Sequence, residues 1–211
     1  MLQQSICITP STFNPSKLII DEAKDFKTKH NLTIKTSKIA YLNDKDEKCQ
    51  LFITCPSFIG YAPYPQYKYG STTKNLEDIT NYSIQYINNR TEKLFIKIQE
   101  IIQKKIKSKK LKPVFNKNKN DQSVAYFKTK GKIDGQLKLY KDKDCDEEIK
   151  NIQEIVGKYG SVIPMLHLDN IYFGSHGTSD YTSSLRVYIS KLIFIEKENV
   201  TPDFVFEDDR E

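Results

Sequence analysis

Apolar and polar side chains alternate along much of this 211-residue chain. Successive side chains of a β-strand point to opposite faces of its sheet, so such alternation is typical of strands that bury one face. Clusters of Pro, Gly, Asn, Asp and Ser separate the alternating runs, as expected for turns. From this pattern we predict seven strands, at residues 32–42, 50–55, 82–87, 124–130, 136–140, 162–173 and 184–195.

Three stretches lack the alternation. Residues 1–31 are irregular, apart from a short helix that we predict at 17–27. Residues 56–70 contain three prolines and four tyrosines. Because proline cannot donate to a strand ladder, we predict a loop there rather than a sheet strand. A second short helix is predicted at 148–157, after a charged loop at 141–148.

One segment, residues 91–107, has the period of a helix. Its apolar side chains recur every three or four residues and so share one face of an α-helix; they are Leu94, Ile98, Ile101, Ile102 and Ile106. Lysines crowd the C-terminal end, where the helix dipole favours positive charge. They continue into a basic loop at 107–120, so that residues 101–120 contain eight lysines and no acidic residue.

These elements predict a mainly β chain with helices, of the α+β class. The arrangement expected is a small β-barrel or sandwich, decorated by one long amphipathic helix and long charged loops. We assign residues 1–199 to a single domain into which helix 91–107 and basic loop 107–120 are inserted. Residues 200–211 form an acidic tail.

The net charge of +6 is unevenly distributed. The last twelve residues contain five acids and one arginine, a charge of −4, so residues 1–199 carry +10. A basic body with an acidic tail is typical of a protein that binds a polyanion, with a tail that competes for the same surface or recruits partners. The alternative is that the charge only keeps the protein in solution.

The four cysteines, Cys7, Cys49, Cys55 and Cys145, have neither CxxC nor zinc-knuckle spacing. The first residues lack the basic region and apolar stretch of a signal peptide. No apolar run reaches the roughly 18 residues that cross a bilayer. We therefore expect free thiols and an intracellular protein that is neither secreted nor bound to a membrane.

The segment GSHGTSDYTSS, residues 174–184, contains the residue types of a hydrolase triad. A triad needs a nucleophile on a sharp, fixed turn and a nearby oxyanion hole, and this segment lacks the G-x-S-x-G turn. We therefore expect a connection between two strands and no catalytic residue.

Metal and cofactor motifs are also missing from the sequence. His30, His167 and His176 lack metal-ligand spacing, and loop 141–148 lacks the glycine and the final glutamate of a calcium loop. The chain has no P-loop and no GxGxxG motif. We expect neither a metal nor a cofactor, and we expect a protein that is not an enzyme.

Three predicted strands each place aromatic or basic side chains on one face and small or apolar side chains on the other. The candidate binding residues are Tyr126, Lys128, Lys130, Lys138, Tyr140, Arg186 and Tyr188. In the last strand we place Leu185, Val187, Ile189, Ile193 and Ile195 together on the opposite, buried face. Cations that contact phosphates and rings that stack on any base suit single-stranded nucleic acid. The alternative is an ordinary solvent-facing sheet surface.

Four stretches carry a family resemblance: QLFITCPSFIGY (50–61), AYFKTKGKIDGQLKLY (125–140), YGSVIPMLHLDNIYFG (159–174) and SSLRVYISKLIFIE (183–196). They resemble the OB-fold single-stranded-DNA-binding proteins of nucleocytoplasmic large DNA viruses, distant relatives of the single-stranded-DNA-binding proteins of podophages. The similar features are a strand ending in a Thr-(x)-Pro element, paired strands with alternating Lys, a strand introduced by Gly and ending in an aromatic pair, and a closing strand.

The resemblance implies an OB-like β-barrel that binds single-stranded DNA in viral replication or recombination. It also implies an acidic tail that recruits replication proteins and competes with DNA. The tail residues concerned are Phe204, Phe206, Asp208 and Asp209, although the podophage tail ends on an aromatic residue and this one does not. The expected location is the host cytoplasm or a viral replication compartment. Packaging in the virion and a homodimer are left open.

Two other interpretations compete with this one. A viral structural protein, of the virion or the minor capsid, would use the same basic surface against genome or capsid and would show no strong preference for single strands. An accessory subunit of a transcription or replication complex would dock through helix 91–107.

Overall fold

The computed structural model describes residues 4–27, 31, 33–67, 79–85, 89–106, 111–117, 119, 123–128, 137–174 and 182–197. These residues form fourteen β-strands and one α-helix, so the predicted mainly β, α+β class is confirmed. In chain order the strands are β1 (Ser5–Ile8), β2 (Leu18–Ile20), β3 (Lys24–Lys27), β4 (Thr33–Leu42), β5 (Lys48–Thr54), β6 (Phe58–Tyr61), β7 (Tyr64–Tyr67), β8 (Ile79–Gln85), β9 (Leu111–Lys112), β10 (Phe115–Lys117), β11 (Ser123–Lys128), β12 (Lys138–Tyr140), β13 (Tyr159–Phe173) and β14 (Ser183–Glu196).

The centre of the sheet is a long antiparallel hairpin made of β13 and β14. The free edge of β13 pairs in succession with β6, β5 and β4. The free edge of β14 pairs in succession with β9, β11 and β12. Each strand of this central hairpin therefore pairs directly with three shorter strands, and the rest of the sheet is built outward from these pairings.

The sheet extends beyond these pairings on both sides. Its path runs β1, β5, β4, β13, β14, β11, β8, β7, with the other strands attached beside it. Because β1 and β9 run parallel to their neighbours while β13 and β14 are antiparallel, the sheet is mixed. Among the described residues, no pairing joins β1 to β7, so the path stays open and the expected OB-like barrel is not confirmed.

The helix α1 (Asn89–Ile106) covers one face of the sheet. Its buried apolar residues, Leu94, Phe95, Ile98 and Ile102, join the same core as the strands. The helical period predicted all of these except Phe95, and the predicted Ile101 and Ile106 are only partly buried against the core. The Phe95 ring lies 5.6 Å from Phe115 and 6.4 Å from Phe127, measured between centroids. We call the side that carries this core the inner face and the opposite side the outer face. No helix in the described residues is long and apolar enough to cross a membrane.

The helix predicted at 17–27 is wrong. A 3-10 turn at Pro15–Lys17 leads into β2 and β3, and both strands pair with β4. Pairing with β4 buries Leu18 completely, and such tertiary contacts override a weak helical preference.

The loop predicted at 56–70 is also wrong, because it contains β6 and β7. Pro63 lies between the two strands, and Pro65 lies in β7, at the end of the sheet path. An edge strand tolerates proline because one side of its ladder needs no donor.

Two further segments differ from the prediction. Residues 148–157 form a single bridge at Glu148 and a 3-10 helix at Ile152–Glu154 instead of a longer helix. Gly157, at φ 80°, then turns the chain into β13, in a conformation that few side chains tolerate. Within the predicted basic loop 107–120, residues 111–117 contain β9 and β10, which attach to β14 and β11.

The central hairpin contains two β-bulges. Met165 pairs with Lys191 and Leu166 with Ile189, so Ser190 is an extra residue in β14. Its hydroxyl donates to the Met165 carbonyl over 3.0 Å. Beyond this bulge Leu192 and Phe194 are buried, whereas Ile193 and Ile195 lie on the outer face. The prediction that Ile193 and Ile195 share the buried face is therefore wrong.

Candidate nucleic-acid interface

Cross-strand pairing on the outer face aligns side chains into rows. One row crosses six strands, and each member is the register partner of the next: Gln66, Asn81, Lys128, Tyr188, His167 and Phe52. Neighbouring strands lie about 4.8 Å apart, so the row is about 24 Å long. It places the predicted residues Lys128 and Tyr188 side by side.

The β5 end of this row is aromatic. Phe52 stacks on His167 with ring centroids 4.6 Å apart and planes 16° apart. The His167 ring lies 6.4 Å from Tyr188 on its other side. His167 is buried between the two, while Phe52 and Tyr188 remain partly exposed. This packed position makes His167 a spacer between two rings that solvent can reach.

A second row presents two of the most exposed aromatic rings in the described structure. Tyr64 pairs with Ser83, and Ser83 pairs with Tyr126. Tyr64 is 61% exposed and Tyr126 is 52% exposed. With one strand between them, their backbones are about 10 Å apart. A flexible strand of bases could contact both rings.

Arg186 is oriented by an aromatic ring that the sequence analysis did not select. Its guanidinium carbon lies 4.8 Å from the centre of the Tyr172 ring. Such a cation–π contact holds a cation without neutralising it. The contact therefore fixes the position of the Arg186 guanidinium on the outer face.

A cleft of about 390 Å³ opens beside this arginine. On the edge of β14 that faces away from β13, β9 pairs at Ser183 and Ser184 and β11 pairs only at Tyr188. Among the described residues, this edge of residues 185–187 therefore has no strand partner, and the cleft lies in the gap. The lining residues are Gln66, Asn81, Lys112, Pro113, Val114, Asn116, Tyr126, Lys128, Ser184, Leu185, Arg186 and Val187.

The cleft is electropositive. Its described lining has three cations, Lys112, Lys128 and Arg186, and no carboxylate. None of the three forms an ion pair with a carboxylate of the described residues. Partial burial, and then the charge of Arg186, lower the pKa of Lys128 below its usual value. Crowded cations without a neutralising acid favour an anionic ligand.

Lys138 and Tyr140 lie on the outer face but apart from the cleft. They belong to β12, which pairs with β14 beyond the Ser190 bulge. Lys138 pairs with Lys191, whose ammonium nitrogen lies 5.1 Å from the centre of the Tyr140 ring. These three side chains form a second basic and aromatic group.

The remaining predicted site residues are Lys130, Phe204, Phe206, Asp208 and Asp209, and they lie outside the described residues. The structure adds side chains that sequence reasoning missed, namely Phe52, Tyr64, Lys112, Asn116, His167 and Tyr172. Tyr64 and Lys112 lie in segments that were predicted to be loops, so the sequence could not assign their side chains to a face of the sheet.

The structure shows a structural role for two groups that are often reactive. Burial raises the pKa of the Cys55 thiol to about 12, and all four cysteines are free. The Asp142 carboxylate accepts the backbone N–H groups of Asp146 and Glu147 at 3.1 and 2.7 Å, which lowers its pKa and fixes the charged turn. Within the described ranges, no three His, Cys, Asp or Glu residues are grouped as metal ligands.

Comparisons with protein-family models, with curated proteins and with solved structures found no match for this chain. The resemblance to viral single-stranded-DNA-binding proteins therefore remains an expectation from the sequence.

Proposed function

We propose that the outer face binds single-stranded DNA without sequence preference, in viral DNA replication or recombination. The observation that carries this proposal is the electropositive cleft together with the exposed rings of Tyr64 and Tyr126 beside it. Tyr126 belongs to both groups, because its side chain lines the cleft and is half exposed.

The two features serve different parts of the ligand. Lysine and arginine contact phosphates whatever the sequence and release the counterions condensed on the strand. Aromatic rings stack on the faces of bases, and every base has such a face. A duplex buries those faces in its own stack, so the tyrosines give the surface a preference for single strands.

The OB-like relationship is part of this proposal. What supports it is a strongly paired antiparallel hairpin with shorter strands on both edges and a binding face on one side of the sheet. OB folds bind single strands on a sheet face with basic and aromatic side chains.

The decisive experiment measures affinity for single-stranded and double-stranded oligonucleotides over a salt series. We expect tighter binding to single strands, with log affinity falling by about 0.7 per phosphate contact for each unit of log salt. Equal affinity for both forms would favour the structural-protein interpretation. A flat salt response would reject nucleic acid as the ligand of the cleft.

A further inference from the structure

The cleft differs from the rest of the outer face in its shape and in its charge. A nucleic-acid strand can pass across an open sheet surface. The cleft instead has walls, which are formed by β9, β10, β11 and β14. Its volume of about 390 Å³ is in the lower part of the range of small-molecule sites. It therefore has room for one compact group of about the size of a nucleotide.

The charge of the lining indicates what that group carries. A phosphodiester within a strand has one negative charge, whereas a phosphate monoester has about −1.5 to −2 at neutral pH. Three cations without a carboxylate attract the more highly charged group more strongly, and the partly buried position weakens solvent screening. Arg186 is close enough to disfavour the charge of Lys128, a repulsion that an anion between the two cations relieves.

The other lining side chains suit the remainder of a nucleotide. Asn116 and Ser184 carry polar groups that can hydrogen-bond to phosphate or sugar oxygens. The half-exposed Tyr126 ring lies at the same site and offers a surface on which a base can stack.

We propose that this cleft binds a nucleoside 5′-monophosphate group, as a free nucleotide or as the 5′-phosphorylated end of a DNA strand. The proposal rests on the proposed function only in taking a nucleic-acid component as the ligand. It adds a site for a terminal phosphate, which sequence-independent binding along a strand does not require.

The test compares four ligands by calorimetry with the full chain: thymidine, thymidine 5′-monophosphate, and an oligothymidine of about ten nucleotides with either a 5′-phosphate or a 5′-hydroxyl. We expect the phosphorylated member of each pair to bind at least about tenfold more tightly, because it gains charge-assisted hydrogen bonds. A strand end is the ligand if the phosphorylated oligonucleotide binds more tightly than the mononucleotide, and a free nucleotide is the ligand if it does not.

Two variants show whether the phosphate occupies the cleft. Lys112→Gln removes one exposed cation of the lining, and Asn116→Asp adds a carboxylate to it. Both should reduce the advantage of the phosphorylated ligands severalfold. Lys150→Gln is the matched control, because Lys150 is an exposed lysine outside the lining and should leave that advantage unchanged.

The outcomes separate this proposal from the proposed function. If oligonucleotides bind equally with and without the phosphate, and Lys112→Gln changes neither affinity, the terminal-phosphate site is rejected while strand binding stands. If the mononucleotide binds in the cleft and no oligonucleotide binds, the site stands and single-stranded-DNA binding is rejected.

Discussion

At the scale of single residues, the outer face is distinguished by aromatic side chains that remain largely exposed to solvent. A single half-exposed ring contributes little to the core and is common on protein surfaces, so Tyr126 points to a ligand only because it lines an electropositive cleft and lies near a second exposed ring, Tyr64. Tyr126 is the clearest example, because Ala125 and Phe127 on either side of it are completely buried.

Tyr126→Ala should weaken binding of single-stranded DNA by about 1–3 kcal/mol if the ring stacks on a base. The melting temperature should not change, because the side chain is 52% exposed. Fluorescence titration and thermal unfolding measure the two quantities. Phe26→Ala is the control, since Phe26 is a 61% exposed ring on β3 that lies outside the lining of the cleft. A loss of stability without a loss of affinity would show that Tyr126 serves the fold.

Arg186→Gln should raise the pKa of Lys128 towards its usual value, but only part of the way. The variant removes the charge of Arg186, which is the smaller of the two causes of the lowered pKa, and leaves partial burial in place. NMR titration of the lysine side chain measures this, with Lys191→Gln as a control on the same strand. An unchanged or lower pKa of Lys128 would contradict the assigned coupling.

The lowered pKa of Lys128 also makes the free energy of unfolding depend on pH. Between the lowered pKa of folded Lys128 and its ordinary value, the unfolded chain binds more protons than the folded one. The free energy of unfolding should therefore rise with pH across that window. Arg186→Gln should narrow the window, which urea denaturation at several alkaline pH values would show.

At the scale of elements, the Ser190 bulge decides which half of β14 enters the core. Leu185, Val187 and Ile189 face inward before it, and Leu192 and Phe194 face inward after it. Strict alternation, continued through one extra residue, assigns every later side chain to the wrong face. The bulge thus explains why one half of the strand was predicted correctly and the other half was not.

Phe194→Ala should lower the free energy of unfolding by about 3–5 kcal/mol, the usual cost of truncating a buried aromatic ring. Its neighbour Ile195 lies on the outer face, so Ile195→Ala should cost roughly 1 kcal/mol or less. Chemical denaturation of the two variants makes the comparison. The opposite ranking would show that the side chains of β14 alternate without a bulge.

Elements were predictable from the sequence where the local pattern and the tertiary contacts agree. Helix α1 is such a case, because its apolar stripe is both the local signal and the surface it buries. Strands β6 and β7 were missed because prolines argued against a strand, whereas only the sheet order reveals that β7 lies at the end of the path. The short β9 and β10 have too few residues to show an alternation at all.

The site was predictable in the same limited way. Alternation within β11 correctly predicted that Tyr126 and Lys128 lie on the outer face. Alternation within β14 did the same for Arg186 and Tyr188. The cleft did not, because it is a gap between strands that meet only through long-range pairing. The contacts of Tyr172 with Arg186, and of Phe52 with His167, also depend on neighbours that are distant in sequence.

At the scale of the whole molecule, the charge is divided between a basic body and an acidic tail. Residues 200–211 carry −4 and residues 1–199 carry +10, and residues 198–211 lie outside the described structure. Opposite charges on one chain attract each other at a high effective concentration. We therefore propose that the tail competes for the cations of the outer face.

Removal of residues 203–211 should tighten DNA binding, most of all at low salt. The deletion removes five acids and one arginine. Screening should erase the gain as the Debye length falls from about 30 Å at 0.01 M to about 8 Å at 0.15 M salt. Affinity measured at several salt concentrations tests this.

Two controls separate the roles of charge and of the aromatic pair in the tail. Replacing the five acids by their amides keeps the length and should reproduce the gain. Phe204→Ala with Phe206→Ala should leave affinity for DNA unchanged and reduce capture of replication proteins. Unchanged affinity of the deletion at low salt would reject competition by the tail, and a large loss of stability would show that the tail belongs to the fold.

The position of the central hairpin along the chain has a consequence for synthesis. Residues 159–196 hold six of the shorter strands in place, and all six precede them in the sequence. A growing polypeptide therefore carries β4, β5, β6, β9, β11 and β12 without the partners that complete their pairing. Unpaired strand edges favour aggregation, and pairing between distant segments folds slowly. The nascent chain should thus need protection, by a chaperone or by the ribosome, until residue 196 has emerged and the sheet can be completed.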